Sequence, residues 1–150
     1  MRLCIDYRKF NSITKKDPYQ LSWIEEILDK LNGSKLLSTL DVAMGYYQVG
    51  VHPDDRAKTA FRTPFCLFQN NVMPIGLTTE PVTFMRLMTL VLSGMLYSTC
   101  LAYLNDIIIF GRSFKEHLSR LGNALQRLKS ASLKLKPTMC AFEKRSISFL

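Results

Sequence analysis

Two apolar runs, residues 99–102 and 107–110, flank the quartet Tyr103-Leu104-Asn105-Asp106. This pattern predicts a buried β-hairpin whose tight polar turn holds the Asp106 carboxylate at its tip. Upstream, a second apolar run over 36–40 predicts a strand ending at Asp41. Residues 2–7, 47–51, 59–62 and 66–72 read as further short strands, the last ahead of Pro74 and Gly76. Helical spacing governs other stretches. Ser22-Trp23-Ile24-Glu25 fits a capping box, with Ile24, Ile27, Leu28 and Leu31 forming an apolar face that stops at Asn32-Gly33. Pro81 suits the first turn of a second helix, whose stripe is Phe84, Leu87, Met88, Val91 and Leu92, with Gly94 near its end. Ser113-Phe114-Lys115-Glu116 opens a long helix with Phe114, Leu118, Leu121, Leu125 and Leu128 facing inward. Residues 146–150 begin a last strand. Strands and helices mix without regular βαβ alternation, which predicts an α+β class.

Length and composition narrow the picture. A chain of 150 residues, 47% hydrophobic and 21% charged, is a globular domain with room for a substantial core. Its 20 basic and 12 acidic residues give a net charge of +8, which favours a polyanionic partner, nucleic acid ahead of an acidic membrane. Residues 90–110 are apolar enough to raise the question of a spanning helix, but Asn105 and Asp106 at membrane depth argue against it. Cys4, Cys66, Cys100 and Cys140 lack paired spacing for zinc and read as free thiols. With no signal peptide pattern, Asn32-Gly33-Ser34 reads as a turn rather than a glycosylation site, and the chain as intracellular, cytoplasmic or nuclear.

The candidate chemistry rests on Asp41 and Asp106. Phosphodiester synthesis uses two divalent cations about 4 Å apart, and magnesium takes oxygen ligands from carboxylates converging from different segments. A strand end and a hairpin supply two such acids if their strands are neighbours. The plainer alternatives are that Asn-Asp simply suits a hairpin turn and that Asp41 caps the next element.

The flanks add a resemblance. Arg2-Leu3-Cys4-Ile5-Asp6-Tyr7-Arg8-Lys9-Phe10-Asn11 resembles the fingers motif of gypsy-like retrotransposon reverse transcriptases. Leu40-Asp41-Val42-Ala43-Met44-Gly45-Tyr46-Tyr47-Gln48-Val49 is similar to their first palm motif. Lys58-Thr59-Ala60-Phe61-Arg62-Thr63 and Val72-Met73-Pro74-Ile75-Gly76-Leu77 resemble the next two blocks, and Pro81-Val82-Thr83-Phe84 the helix after them. Tyr103-Leu104-Asn105-Asp106 falls where the family carries Tyr-X-Asp-Asp, and Leu133-Lys134-Leu135-Lys136-Pro137 resembles the block after the long helix. Order and spacing agree along nearly the whole chain.

This resemblance implies a polymerase fingers–palm fold, with a central antiparallel sheet flanked by helices, from a retrovirus-related Pol polyprotein. It implies RNA-directed DNA polymerisation from dNTPs on an RNA or DNA template–primer, with two Mg2+ ions. Asp41, Asp106 and Asn105 would occupy the catalytic positions, and Asp41, Val42 and Asp106 would hold metal. Arg2, Val42, Tyr46 and Gly76 would face the nucleotide, Tyr46 as a gate against ribose and Gly76 by close backbone approach. Asp6 and Arg8 would form a structural pair in the fingers. The Lys/Arg surplus would track template–primer phosphates.

Several positions depart from the family's pattern. Asn105 replaces the first hairpin acid, so it brings no charge to offset two dications, and metal binding is expected to weaken. The family has a lysine, shortly before its Cys, that protonates the leaving pyrophosphate; here Met139 precedes Cys140 and carries no proton to give. Ile75 replaces an aromatic, and Thr79-Glu80 replaces Asn-Ala, bringing a negative charge toward the nucleotide. The 150 residues are expected to cover a partial domain of fingers and palm, without thumb, connection or ribonuclease H. An impaired polymerase is therefore the leading expectation. A non-catalytic nucleic-acid-binding remnant of a retrotransposon polymerase is the alternative, and a decayed product without function is the third.

Overall fold

The computed structural model describes residues 5–19 and 31–146. Strand β1 (Leu36–Asp41) lies between β5 (Asp106–Gly111) and β6 (Ala141–Lys144), and β4 (Cys100–Tyr103) adds to the far side of β5. The resulting sheet has the order β4-β5-β1-β6 with every pair antiparallel. Phe61–Arg62 (β2) and Leu67–Phe68 (β3) form a separate two-stranded hairpin, their Phe61 and Phe68 rings stacked at 5.7 Å. Among the described residues four helices accompany the sheets: α1 (Arg8–Ile13), α2 (Pro53–Arg56), α3 (Glu80–Val91) and α4 (Phe114–Ser130). The architecture is α+β.

Side-chain alternation divides the sheet into two faces. Leu40, Ile107, Ile109, Cys100 and Ala102 pack against Phe84, Met88 and Leu92 of the α3 region and Leu121, Ala124 and Leu128 of α4. Each fully buried Leu, Ile or Phe here contributes about 1.5–3 kcal/mol from removed apolar surface. The opposite face carries Leu37, Leu101, Ile108 and Phe110, with Leu31 and Tyr103 against them. Period-two counting places Asp41 and Asp106 on this second face, opposite the one that packs on α3 and α4.

Several expectations are corrected. The strand expected at 47–51 is a 3-10 turn, Gly45–Gln48. Met44 enters the left-handed region at φ 48°, and the Tyr47 N–H then closes onto the Met44 carbonyl at 2.9 Å. Edge-on packing of Tyr46 against Phe84, at 5.5 Å, outweighs the strand preference of the two tyrosines. The strands expected at 59–62 and 66–72 shrink to β2 and β3, because Thr59 ends a 3-10 turn, Ala57–Thr59. Residues 5–7 of the strand expected at 2–7 are irregular. Its other residues, the helix expected after Ser22 up to residue 30, and residues 147–150 lie outside the described residues.

The buried stripe of α4 also differs, consisting of His117, Leu121, Ala124 and Leu128. Phe114, Leu118 and Leu125 are exposed instead. The helix is rotated so that His117 enters the core, where its Nε2 meets the Ser38 Oγ at 2.8 Å. Gly111 permits this, since a Cβ there would lie 2.9 Å from the His117 Cα. The expected cap holds in altered form. Ser113 Oγ accepts from the Glu116 N–H at 3.3 Å, whereas the Glu116 carboxylate reaches the Arg112 N–H at 2.8 Å. Among the described residues no helix is long and apolar enough to cross a membrane, and Cys66, Cys100 and Cys140 are free.

Candidate active site

The ends of β1 and β5 bring the two acids together. In the β1–β5 register Asp41 stands directly opposite Asp106, so their Cβ atoms are about 5 Å apart by strand geometry. Burial, followed by the charge of Asp41, pushes the Asp106 carboxyl above the usual carboxylate range. A like-charged pair at the rim of an apolar face is the arrangement that a cation relieves. The donor set, carboxylate oxygen at the end of rigid strands, fits a hard cation such as Mg2+. Among the described residues no group of three or more Asp, Glu, His or Cys gathers anywhere, so the pair has no third acid.

The hairpin turn sits one residue earlier than its sequence suggests. Leu104 and Asn105 form the turn, and Asp106 is the first residue of β5. The positive φ falls on Leu104, at 51°, rather than on Asn105 or Asp106. The Leu104 N–H points to the Met85 Sδ at 3.0 Å, anchoring this costly conformation to α3. Asn105 turns inward. Its Oδ1 is buried without a hydrogen-bond partner and lies where a Cβ on Gly45 would be, beside the Phe84 ring.

The segment after Asp41 is held from both sides. Its Val42 N–H donates to the Asn105 carbonyl at 2.8 Å, and the Lys136 N–H donates to the Asp41 carbonyl at 2.9 Å. The Ala43 N–H reaches the Lys134 carbonyl at 2.9 Å, while the Gln48 amide brackets Lys134 by bonds of 3.0 and 2.7 Å. The Val42 side chain is buried, leaving only its backbone to face a ligand. Tyr46 lies half-buried behind this turn, and burial, then the Glu80 charge, raises its phenol pKa.

Gly76 has a φ of +107°, and a Cβ there would approach the Tyr7 ring at 3.6 Å. The buried Glu80 carboxylate accepts from its N–H at 2.7 Å. Asn11 closes the other side, donating to the Gly76 carbonyl at 2.8 Å and accepting from the Thr78 N–H at 2.9 Å. The roles of Gly45, Asn11 and Gln48 were missed in the sequence; the pairing of a small residue with a bulky Tyr in Gly45-Tyr46 was the one available signal. Asp6 and Arg8 form an exposed ion pair of 2.7 Å, which holds Asp6 down to about 2 through hydrogen bonds from Arg8. Met139 is exposed in the turn Pro137–Met139. Arg2 lies outside the described residues.

The antiparallel sheet backed by two helices is the fold of a polymerase palm. The reverse transcriptase (RNA-dependent DNA polymerase) family model matches residues 1–150, and the chain belongs to that family. It is 40% identical over 149 residues to the retrovirus-related Pol polyprotein from transposon 297 of Drosophila melanogaster, covering 99% of this chain and 14% of that protein. It is 33% identical over 150 residues to the transposon Tf2-3 polyprotein of Schizosaccharomyces pombe, covering 100% of this chain and 11% of that one. The native protease–reverse transcriptase of prototype foamy virus shares the fold, with a TM-score of 0.89 at 23% identity over 99% of this chain and 20% of that one. A foamy viral protease–reverse transcriptase in complex with an RNA/DNA hybrid superposes with a TM-score of 0.90, also at 23% identity and over 99% of this chain and 20% of that one. The chain thus spans about one seventh of the length of the transposon 297 polyprotein.

Proposed function

We propose that these residues form the fingers–palm part of a gypsy-like RNA-directed DNA polymerase whose chemistry is impaired in this copy. The observation that carries the reading is the direct opposition of Asp41 and Asp106 at the adjoining ends of β1 and β5. Both carboxylates would hold Mg2+, with the Val42 carbonyl as a further oxygen. The ions, when bound, would neutralise charge on the attacking 3′-oxygen and on the leaving pyrophosphate. Tyr46 would close the floor beneath the incoming sugar, and its packing on Phe84 would keep it from yielding to a 2′-hydroxyl. The basic surplus would hold the template–primer by its phosphates.

Impairment follows from what Asn105 lacks. Its oxygen is turned into the space beside Gly45 and Phe84, and it carries no charge for a dication. Loss of one essential member of a catalytic unit costs roughly 10³–10⁶-fold in rate. Met139 in place of a proton donor adds to the deficit. The inward-turned amide also supports a second reading, a non-catalytic nucleic-acid-binding remnant. Titration of a primer–template duplex with and without Mg2+ separates the two. Metal-strengthened binding that is lost in Asp41→Asn supports the polymerase site. Salt-dependent binding indifferent to metal and to Asp41 supports the remnant and overturns the metal site.

A further inference from the structure

Glu80 is a buried acid without a cationic partner among the described ion pairs. Such a group is costly to retain unless its hydrogen bonds do something. It opens α3, and its Oε2 reaches back four residues to the Gly76 N–H at 2.7 Å. The bond is local, but the loop it holds is not. Gly76 also receives the Asn11 amide from α1 at 2.8 Å, and Asn11 accepts the Thr78 N–H at 2.9 Å. The Pro74–Thr78 loop is therefore clamped between α1 and α3. The same carboxylate is near enough to Tyr46 for its charge to act on the phenol. Glu80 thus holds the loop of Gly76, one of the two walls assigned above to the nucleotide, by a direct hydrogen bond.

We propose that Glu80 is a positioning residue for the nucleotide pocket, fixing the Gly76 loop against the start of α3 by accepting the Gly76 N–H. The inference rests on the polymerase reading of the site. It assigns Glu80 work done through its acceptor oxygen, not through its charge. A glycine at φ +107° has no side chain to anchor it, so in this chain the hold on the loop comes from the bonds to its backbone. Gln at position 80 retains the acceptor and removes a buried charge, whereas Ala removes both.

The test compares the 150-residue chain with Glu80→Gln and Glu80→Ala. Amide hydrogen exchange reads the clamp directly. Gly76 protection should persist in Glu80→Gln and fall about tenfold or more in Glu80→Ala. Binding of a templated dNTP to the chain on a primer–template duplex, with Ca2+ as the divalent ion, reads the consequence. The dissociation constant should rise about fivefold in Glu80→Ala, the worth of one hydrogen bond, and stay within about twofold of wild type in Glu80→Gln. Duplex affinity without dNTP should be the same in all three. Loss of Gly76 protection with unchanged dNTP binding overturns the proposal and leaves the polymerase reading standing. Equal weakening by Gln and Ala also overturns it, since the charge would then be what matters. Absence of dNTP binding in every version, wild type included, overturns the polymerase reading and this inference with it.

Discussion

Asp106→Asn tests whether the two acids are held together against their own repulsion. Asp41 and Asp106 are directly opposed, and burial together with the Asp41 charge raises the Asp106 pKa above 3.8. Two carboxylates about 6 Å apart, at an effective dielectric of about 20, repel by about 3 kcal/mol. Both keep partial contact with water, which lowers the figure to about 1–2 kcal/mol. A carboxyl whose folded pKa is raised favours the folded state while it is protonated. Its contribution is therefore full below the unfolded value and is lost as pH rises through the folded value. Asn is close to isosteric with the protonated acid. Asp106→Asn should raise stability by about 1–2 kcal/mol at neutral pH, or about 2–8 °C in Tm, and change it little well below the unfolded pKa of 3.8. Saturating Mg2+ should narrow the difference at neutral pH by stabilising the wild type. Urea denaturation followed by circular dichroism, with and without Mg2+, measures all of these. An effect of one size at both pH values, or a loss of stability at neutral pH, would refute burial and like-charge repulsion as forces acting against the Asp106 carboxylate.

Other perturbations probe the supports of the site. Gly45→Ala places a Cβ into Asn105 Oδ1 and 2.6 Å from the Phe84 Cζ. It should cost about 1–3 kcal/mol in urea denaturation, and the double variant Gly45→Ala with Phe84→Leu should recover part of that. Burial lowers the His117 pKa, with Glu143 opposing and Arg120 adding to the shift. A depressed base stabilises the fold above its unfolded pKa of 6.5 and loses that contribution as pH falls through the lower folded value. The denaturation midpoint should therefore fall from pH 7.5 towards mildly acidic pH in the wild type, and fall less in His117→Gln.

Much of the fold was legible because its strands and two main helices carry strong periodicity. β1, β5, α3 and α4 lie where apolar spacing put them, and Asp41 and Asp106 were visible as acids closing apolar runs. What escaped was set by close contact rather than by pattern. The Gly45–Gln48 turn contradicts the strand preference of Tyr46 and Tyr47, since Tyr46 is drawn onto Phe84. His117 replaced Phe114 and Leu118 in the core because Gly111 opens a place against β5, and a polar ring bonded to Ser38 is not recognisable as core from periodicity. The turn shifted by one residue for a similar reason. Leu104, an unfavourable residue at positive φ, is held there by Met85 from a distant helix. Glu80 was legible as a charge where the family carries Ala, but not as the acceptor for the Gly76 N–H.

That Asn105 stands in place of a catalytic acid is the central claim of the proposed function, and one exchange tests it most directly. Primer extension would be measured with residues 1–150 carried in a complete reverse transcriptase, once with Asn105 and once with Asn105→Asp. Restoring the acid should raise Mg2+-dependent extension by about a thousandfold or more. Equal and robust extension by both versions would contradict it, and would mean that Asp41 and Asp106 suffice without a third carboxylate.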